Sequence, residues 1–381
     1  MRRFALAMTS LIASAVLLVG CAATATSSST TTTNTTSGTT STTTVDTSLA
    51  AADVDWNDLP TTEVTLTAKG LTITKAGTYV LSGSTTGQVV VDTDGYVRII
   101  LNGATIESTS GAAIQVDSAE TTVIELADGT TNTVSDAATR SDEEIDGAIY
   151  SADDLIITGT GTLNLTANFA DGIVGKDDLL IESGTITVTS ADDGIRGKDS
   201  LSVTGGTITI DAKGDGMKSS NDSDAGKGQL AITGGDITIT TGDDAVKAEQ
   251  RLTITGGTLD IVSSVEGIEA PVVVIDGGKI TVNASDDGIN AAASAIVTTG
   301  LGITINGGDI TVVMGAGDTD AIDSNGDLTI TGGTLTITAQ SPFDYDGTGT
   351  LTGGTITVNG SQVTELTNQM MGGGGGGGGR P

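Results

Sequence analysis

The tripeptide Asp-Gly-Ile, with close variants, returns along this chain at an almost constant interval. It begins at Asp171, Asp193, Asp215, Asp244, Glu266, Asp287 and Asp320, in steps of 22, 22, 29, 22, 21 and 33 residues. A glycine pair recurs independently, starting at Gly205, Gly234, Gly256, Gly277, Gly307, Gly332 and Gly353, in steps of 29, 22, 21, 30, 25 and 21. Two markers with one period and shared longer steps define a repeat of about 22 residues with insertions. A unit this short cannot bury an apolar face alone, so it must stack on its neighbours as a solenoid.

The unit is legible in GIRGKDSLSVTGGTITIDAK, Gly194–Lys213. Leu201 alternates with Val203, and Ile208 with Ile210, which is the period of a strand with one face buried. Thr, Ile and Val dominate, as strands prefer, and Gly205-Gly206 breaks the run at a corner of unusual φ. The reading is all-β: a single-stranded parallel β-helix with one repeat per coil and coils about 4.8 Å apart. Ile173, Ile195, Met217, Val246, Ile268, Ile289 and Ile322 are expected to form one internal column. The segments Asn221–Gly228, Ala291–Gly300 and Gly315–Thr319 read as inserted loops. Val64–Val134 alternates with a looser repeat and is expected to form two or three initial coils and a cap.

The ends differ from the middle. Arg2 and Arg3 precede an apolar run from Phe4 to Val19, the order of a secretion signal. Leu18-Val19-Gly20-Cys21 resembles the lipobox of bacterial lipoproteins, and Cys21 is the only cysteine. The expected organisation is a lipoprotein signal peptide over 1–20, a Ser/Thr-rich tether over 21–52, the β-helix over 53–365 and a Gly-rich tail over 366–381. The protein is then secreted and held on the extracytoplasmic side of a bacterial envelope by lipid on Cys21. The sequence does not fix an oligomeric state, and a monomer is expected.

Composition narrows the chemistry. With no histidine and one cysteine, His-based triads, His-ligated zinc and Cys-built metal sites are excluded. A formal net charge of −32 excludes the basic footprint of a nucleic-acid binder. Aromatics make up 2% of the chain, and beyond the signal they are Trp56, Tyr79, Tyr96, Tyr150, Phe169, Phe343 and Tyr345. No aromatic platform can run along the repeat. Phe343 and Tyr345 read as a cap on the last coil, with sugar stacking as the alternative.

One residue beyond the internal column stand Val174, Arg196, Lys218, Lys247, Glu269, Asn290 and Asp323. Neighbours on a strand face opposite ways, so these are expected to stack outward. Just before the column lie Asp171, Asp192, Asp193, Asp215, Asp243, Asp244, Glu266, Asp286 and Asp287. Carboxylates stacked at coil spacing repel, and a hard divalent cation, Ca²⁺ above all, relieves this. Asp171, Asp192, Asp193, Asp215, Asp243 and Asp244 are the candidate metal ligands, and Arg196, Lys218 and Lys247 the candidate ligand-binding cations. The plainer reading is Asp-Gly turns with surface ion pairs. Lys176 and Lys198, five residues after Asp171 and Asp193, carry the same two readings. Asp222/Asp224 and Asp318/Asp320/Asp323/Asn325 are weaker Ca²⁺-loop candidates, lacking EF-hand spacing.

Phe169–Asp222, FADGIVGKDDLLIESGTITVTSADDGIRGKDSLSVTGGTITIDAKGDGMKSSND, resembles the central block of bacterial cell-surface carbohydrate-binding β-helix proteins. ITKAGTYVLSG at Ile73–Gly83, LNGATI at Leu101–Ile106, LADGTTNTVSD at Leu126–Asp136 and KGQLAITGGDITITTGDDAVKAE at Lys227–Glu249 follow the order of that family. The resemblance spans Val64 to Val358. It implies a right-handed parallel β-helix, secreted or lipid-anchored, binding cellulose or acidic polysaccharide such as polygalacturonate, with bound Ca²⁺. It also implies likeness to pectate-lyase-type helices, in which Ca²⁺ acidifies a proton beside a uronate carboxylate and Lys or Arg removes it. A lyase would use Arg196, Lys218 or Lys247 as base. A structural adhesion solenoid is the third possibility. Ala245-Val246 in place of Gly-Ile, and Glu266 in place of Asp, depart from the repeat.

Overall fold

The computed structural model describes residues 50–315 and 319–368. The signal, Cys21, most of the tether, Asp318 and residues 369–381 lie outside the described residues. Each coil contributes up to three strands, and equivalent strands of successive coils pair in parallel and in register. In the coil beginning at Ile195 the strands are Ile195–Gly197, Ser200–Val203 and Thr207–Asp211. The first forms a ladder of twelve short strands. The second and third form two longer ladders, joined into one sheet where Val97–Glu107 bends across a corner and pairs with both Thr122–Leu126 and Thr131–Ser135. This is the parallel β-helix expected from the repeat. Helix is confined, among the described residues, to two single 3₁₀ turns.

The internal column stacks as expected: Ile173 pairs with Ile195, then Met217, Val246, Ile268, Ile289 and Ile322, all fully buried. The strand Thr207–Asp211 alternates exposed and buried along its length, with Ile208 and Ile210 inside. The region before Val134 holds three short-ladder strands, Leu71–Ile73, Val89–Asp92 and Ile114–Ser118, so three initial coils. Each glycine of the recurring pair answers a separate demand. A Cβ on Gly205 would stand 2.5 Å from the Glu182 carbonyl oxygen of the coil before, so close stacking excludes one. Gly206 has φ +93°, a conformation L side chains rarely adopt. The pair at Gly234-Gly235 meets the same two demands.

Three features depart from the simple pattern. Ser200–Val203 and Gln229–Ile232 are buried on both faces rather than one. On the same ladder, Val123, Ile156 and Leu180 are apolar on the outer face because Ala51 and Trp56 pack over them. The Ala51 N–H donates to Glu182 Oε1 at 3.0 Å and fixes that segment. At the other end Ser361–Val363 turns back antiparallel onto Thr355–Val358. The turn uses Asn359 at φ 51° and Gly360 at φ 78°, the Asn-Gly conformation of a two-residue hairpin. It covers part of a sheet edge that would otherwise invite pairing with another chain. Phe343 is buried and Tyr345 packs against the core, its hydroxyl donating to the Leu366 carbonyl at 3.3 Å, so the pair caps the last coils.

The inward and outward assignments are open to test. Ile195→Ala, at a fully buried column position, is expected to lower the unfolding free energy by ~2–5 kcal/mol. Thr209→Ala, on the exposed face of a neighbouring strand, is expected to change it by no more than ~0.5 kcal/mol. Urea unfolding of both variants checks the pair.

Candidate functional site

Asp-Gly steps place a carboxylate at the corner leading into each short strand. The backbone there cannot complete the ladder, and the side chain does it instead. Asp171 Oδ1 accepts from the Asp193 N–H at 3.1 Å. Asp193 Oδ1 accepts from the Asp215 N–H at 2.8 Å, and Asp215 Oδ1 from the Asp244 N–H at 3.1 Å. One oxygen of each aspartate therefore ties its coil to the next. Glu266 interrupts the series: its longer side chain accepts instead from Asn290 Nδ2 at 2.9 Å. The pattern resumes where Asp287 Oδ1 accepts from the Asp320 N–H at 3.2 Å.

The second oxygen meets a cation. Arg196, Lys218 and Lys247 stack in register on the outward face. Lys218 Nζ lies 2.6 Å from Asp215 and 3.6 Å from Asp193. Lys247 Nζ lies 2.6 Å from Asp244 and also pairs with Glu269. Arg196 reaches Asp171 at 2.5 Å and pairs with Asp146 as well. Val174, one coil earlier in the same column, stands in register with Arg196 but is fully buried rather than solvated. The column then continues through Glu269, Asn290 and Asp323.

These contacts set the charge states. Burial opposes the charge on Lys247, but hydrogen bonds to Asp244 and Glu269 outweigh it and hold the ammonium above its ordinary range. Lys218 is raised likewise, with Asp215 and Asp193 overcoming desolvation. Asp171 is pushed up to about 6 by burial, against the attraction of Arg196. Further along, burial pushes Glu266 and Asp287 up to about 7 and Asp323 up to about 6. Repulsion adds to burial there: Asp244 and Asp287 act on Glu266, Asp323 on Asp287, and Asp344 on Asp323.

The sequence-derived candidates fall into two close groups. Asp171, Asp192 and Asp193 bring carboxylate oxygens within 4.8 Å of one another, and so do Asp215, Asp243 and Asp244. In each group the first and last are buried and engaged by Arg196, Lys218 or Lys247, while Asp192 and Asp243 are exposed. Around the first group runs an open groove of about 530 Å³ lined by Asp146, Asp171, Lys176, Asp192, Asp193, Arg196, Lys198, Lys218 and Ser220. Lys176 sits 3.5 Å from Asp146 and 5.6 Å from the centre of the Tyr150 ring. Lys198 has no ion pair among the described residues. A second groove, about 610 Å³, is more nearly neutral and includes Gln88, Thr109, Ser110, Gln115 and Asp142. Gln115 and Tyr150 belong to the same outward column, so both grooves open along one ladder.

Two features went unrecognised in the sequence. Asp146, the shared partner of Arg196 and Lys176, belongs to an Asp-Gly step 25 residues before Asp171; its spacing was the available signal. Asn221 holds the Asn221–Gly228 insertion, donating to Asp199 Oδ1 at 2.6 Å and accepting from the Asp224 N–H at 2.8 Å. Lys227 pairs with Asp199 beside it. No sequence signal marks the hold on Asp199, because Asn221 and Lys227 lie 22 and 28 residues from it.

The family model of the carbohydrate-binding domain-containing proteins matches residues 67–319 and 263–365. A protein of Acetivibrio thermocellus described in the same words is 35% identical over 124 residues, covering 30% of this chain and 43% of the relative. The chain thus spans less than half that relative's length. A solved structure, the polysaccharide lyase-like protein from C. thermocellum in a gadolinium derivative, is similar at 35% identity and TM-score 0.50. The likeness covers 56% of this chain and 84% of the other.

A pH dependence follows from the later carboxylates. Glu266 and Asp287 bind a proton more tightly folded than unfolded. Folding stability therefore falls as pH rises from the ordinary carboxylate range through about 7. In chelator, the melting temperature is expected to drop between pH 5 and pH 8, with a shallower drop in Glu266→Gln; equal slopes would refute the assignment to Glu266.

Proposed function

The chain belongs to the family of carbohydrate-binding domain-containing proteins, and on that premise we propose that it binds polysaccharide along the short-strand ladder. The observation that carries this reading is the open charged groove beside Arg196. An elongated face, poor in aromatics and crossed by stacked Lys, Arg and Asp side chains, suits a polar chain better than a flat apolar one. Among the lysines that line the groove, Lys198 and Lys176 are the ammonium groups least committed to protein carboxylates. They suit the carboxylate of a uronate, so the favoured ligand is an acidic polysaccharide. Asp192, exposed beside paired neighbours in the groove, would share a Ca²⁺ ion with that carboxylate, and Asp243 would hold a second ion two coils on. The residues fit such an ion in donor chemistry, since all are hard oxygens. Anchoring through lipid on Cys21, at the extracytoplasmic face of a bacterial envelope, would place this groove where it meets extracellular polymer.

Binding without cleavage is favoured over lysis. A base that abstracts a proton must be poised near neutrality. Lys218 and Lys247 are instead held protonated by two carboxylates each, and Arg196 is pinned between Asp146 and Asp171.

Pull-down on polygalacturonate tests the reading. Retention is expected with Ca²⁺, less with chelator, and several-fold less in Lys198→Ala with unchanged melting. Retention indifferent to both changes would overturn the groove and the cation bridge. Release of unsaturated uronide, seen by ultraviolet absorbance and lost in Lys218→Ala, would replace binding with lyase activity.

A further inference from the structure

The groove of about 610 Å³ differs in character from the charged groove beside Arg196. Amides and hydroxyls of Gln88, Thr109, Ser110, Gln115, Thr139 and Ser141 line it. Its amides are chained. Gln88 Nε2 donates to the Ala112 carbonyl at 3.0 Å and to Gln115 Oε1 at 3.2 Å, and Gln115 Nε2 donates to Asp117 Oδ1 at 2.6 Å. Gly111, at φ +107°, leaves room for them, since a Cβ there would stand 2.9 Å from Gln88 Nε2. The one cation in the lining, Arg140, is already committed. Its side chain is 2% exposed and pairs with fully buried Asp136. It also donates to the Ile145 and Gly147 carbonyls and lies 4.7 Å from the centre of the Phe169 ring. Arg140 therefore fixes residues 141–144 as a wall, and the groove is shaped before any ligand arrives.

The two grooves adjoin: Ile145 lines this one and Asp146 the charged one. Between them Gln115, Tyr150, Val174 and Arg196 stand in register on successive coils. Gln115 and Arg196 are thus three coils apart, about 14 Å, and a polymer laid along the ladder meets both grooves. It meets different chemistry in each. Lys176 and Lys198 in the charged groove suit a free carboxylate. The second groove offers no uncommitted cation, and exposed Asp142 at its rim repels a carboxylate. Its amides and hydroxyls match sugar hydroxyls instead, and an uncharged sugar residue is the cheaper one to desolvate there.

We propose that the groove at Gln88 and Gln115 is a second subsite, for uncharged sugar residues, and that the two grooves together select a polysaccharide in which free uronates adjoin an uncharged stretch. The inference rests on polysaccharide binding in the charged groove and names the charge pattern of the ligand. The uncharged stretch is either neutral sugar or esterified uronate, which present the same hydroxyl-rich, chargeless surface.

Titration calorimetry of the full chain in Ca²⁺ tests it, with three polymers of equal length. One is polygalacturonate, one is the same polymer methyl-esterified in blocks, and one alternates uronate blocks with neutral hexose blocks. At least one mixed polymer is expected to bind several-fold more tightly than polygalacturonate, and which one does so names the source of the uncharged stretch. Gln115→Glu puts a carboxylate in the second groove and is expected to abolish that preference. Lys198→Ala is expected to weaken binding of all three polymers. If Gln115→Glu melts below the wild type, Ser110→Asp, at an exposed position, decides in its place. The proposal is overturned if neither mixed polymer binds more tightly than polygalacturonate, or if the preference survives the added carboxylate. Failure of the wild type to bind any of the three would instead remove the charged groove as a polysaccharide site, and this subsite with it.

Discussion

Register stacking is the constraint on which the rest of this molecule depends. Once coil lies on coil in parallel, every side chain meets its own equivalent about 4.8 Å above and below. For Ile and Val this is favourable and yields a continuous core that, among the described residues, is built from stacked strands. For an aspartate the same geometry is repulsive, and half-burial strengthens the repulsion. The recurring corner aspartate is nevertheless kept, because one oxygen closes a hydrogen bond to the next coil that the backbone leaves open. The other oxygen then needs a positive partner. Arg196, Lys218 and Lys247 meet that need in the middle coils, which explains why cations cluster on one face of so acidic a chain.

This places the three cations in a different light from the one a residue inventory suggests. A stacked Arg-Lys-Lys column looks like a free basic strip for an anionic ligand. In the folded chain each member is already committed to one or more carboxylates, and the less committed ammonium groups stand one turn further round, at Lys176 and Lys198. Recognition of an acidic polymer then depends on side chains rimming the column. The column itself is part of the scaffold that spaces them.

Much of this was legible in the sequence, for a physical reason: periodicity survives translation into structure. The internal column from Ile173 to Ile322, the outward column beside it, the glycine pairs and the capping role of Phe343 and Tyr345 all follow from spacing and residue type. Features outside the period were not legible. Ala51 and Trp56 cover the outer face of a ladder, which explains the unbroken apolar runs at Val123, Ile156 and Leu180. The Asn359-Gly360 hairpin carried its own turn signature, obscured by the surrounding repeat. Asp146 was hidden by an irregular coil. The change after Lys247 from cations to Glu269, Asn290 and Asp323 is visible in the letters, but the burial of Asn290 with its carbonyl unpartnered is not.

The most direct test of charge compensation along the column is the melting of Lys218→Met beside the wild type. The account predicts a melting temperature well below the wild type, because buried Asp193 and Asp215 lose their shared cation. A variant that melts with the wild type would contradict it.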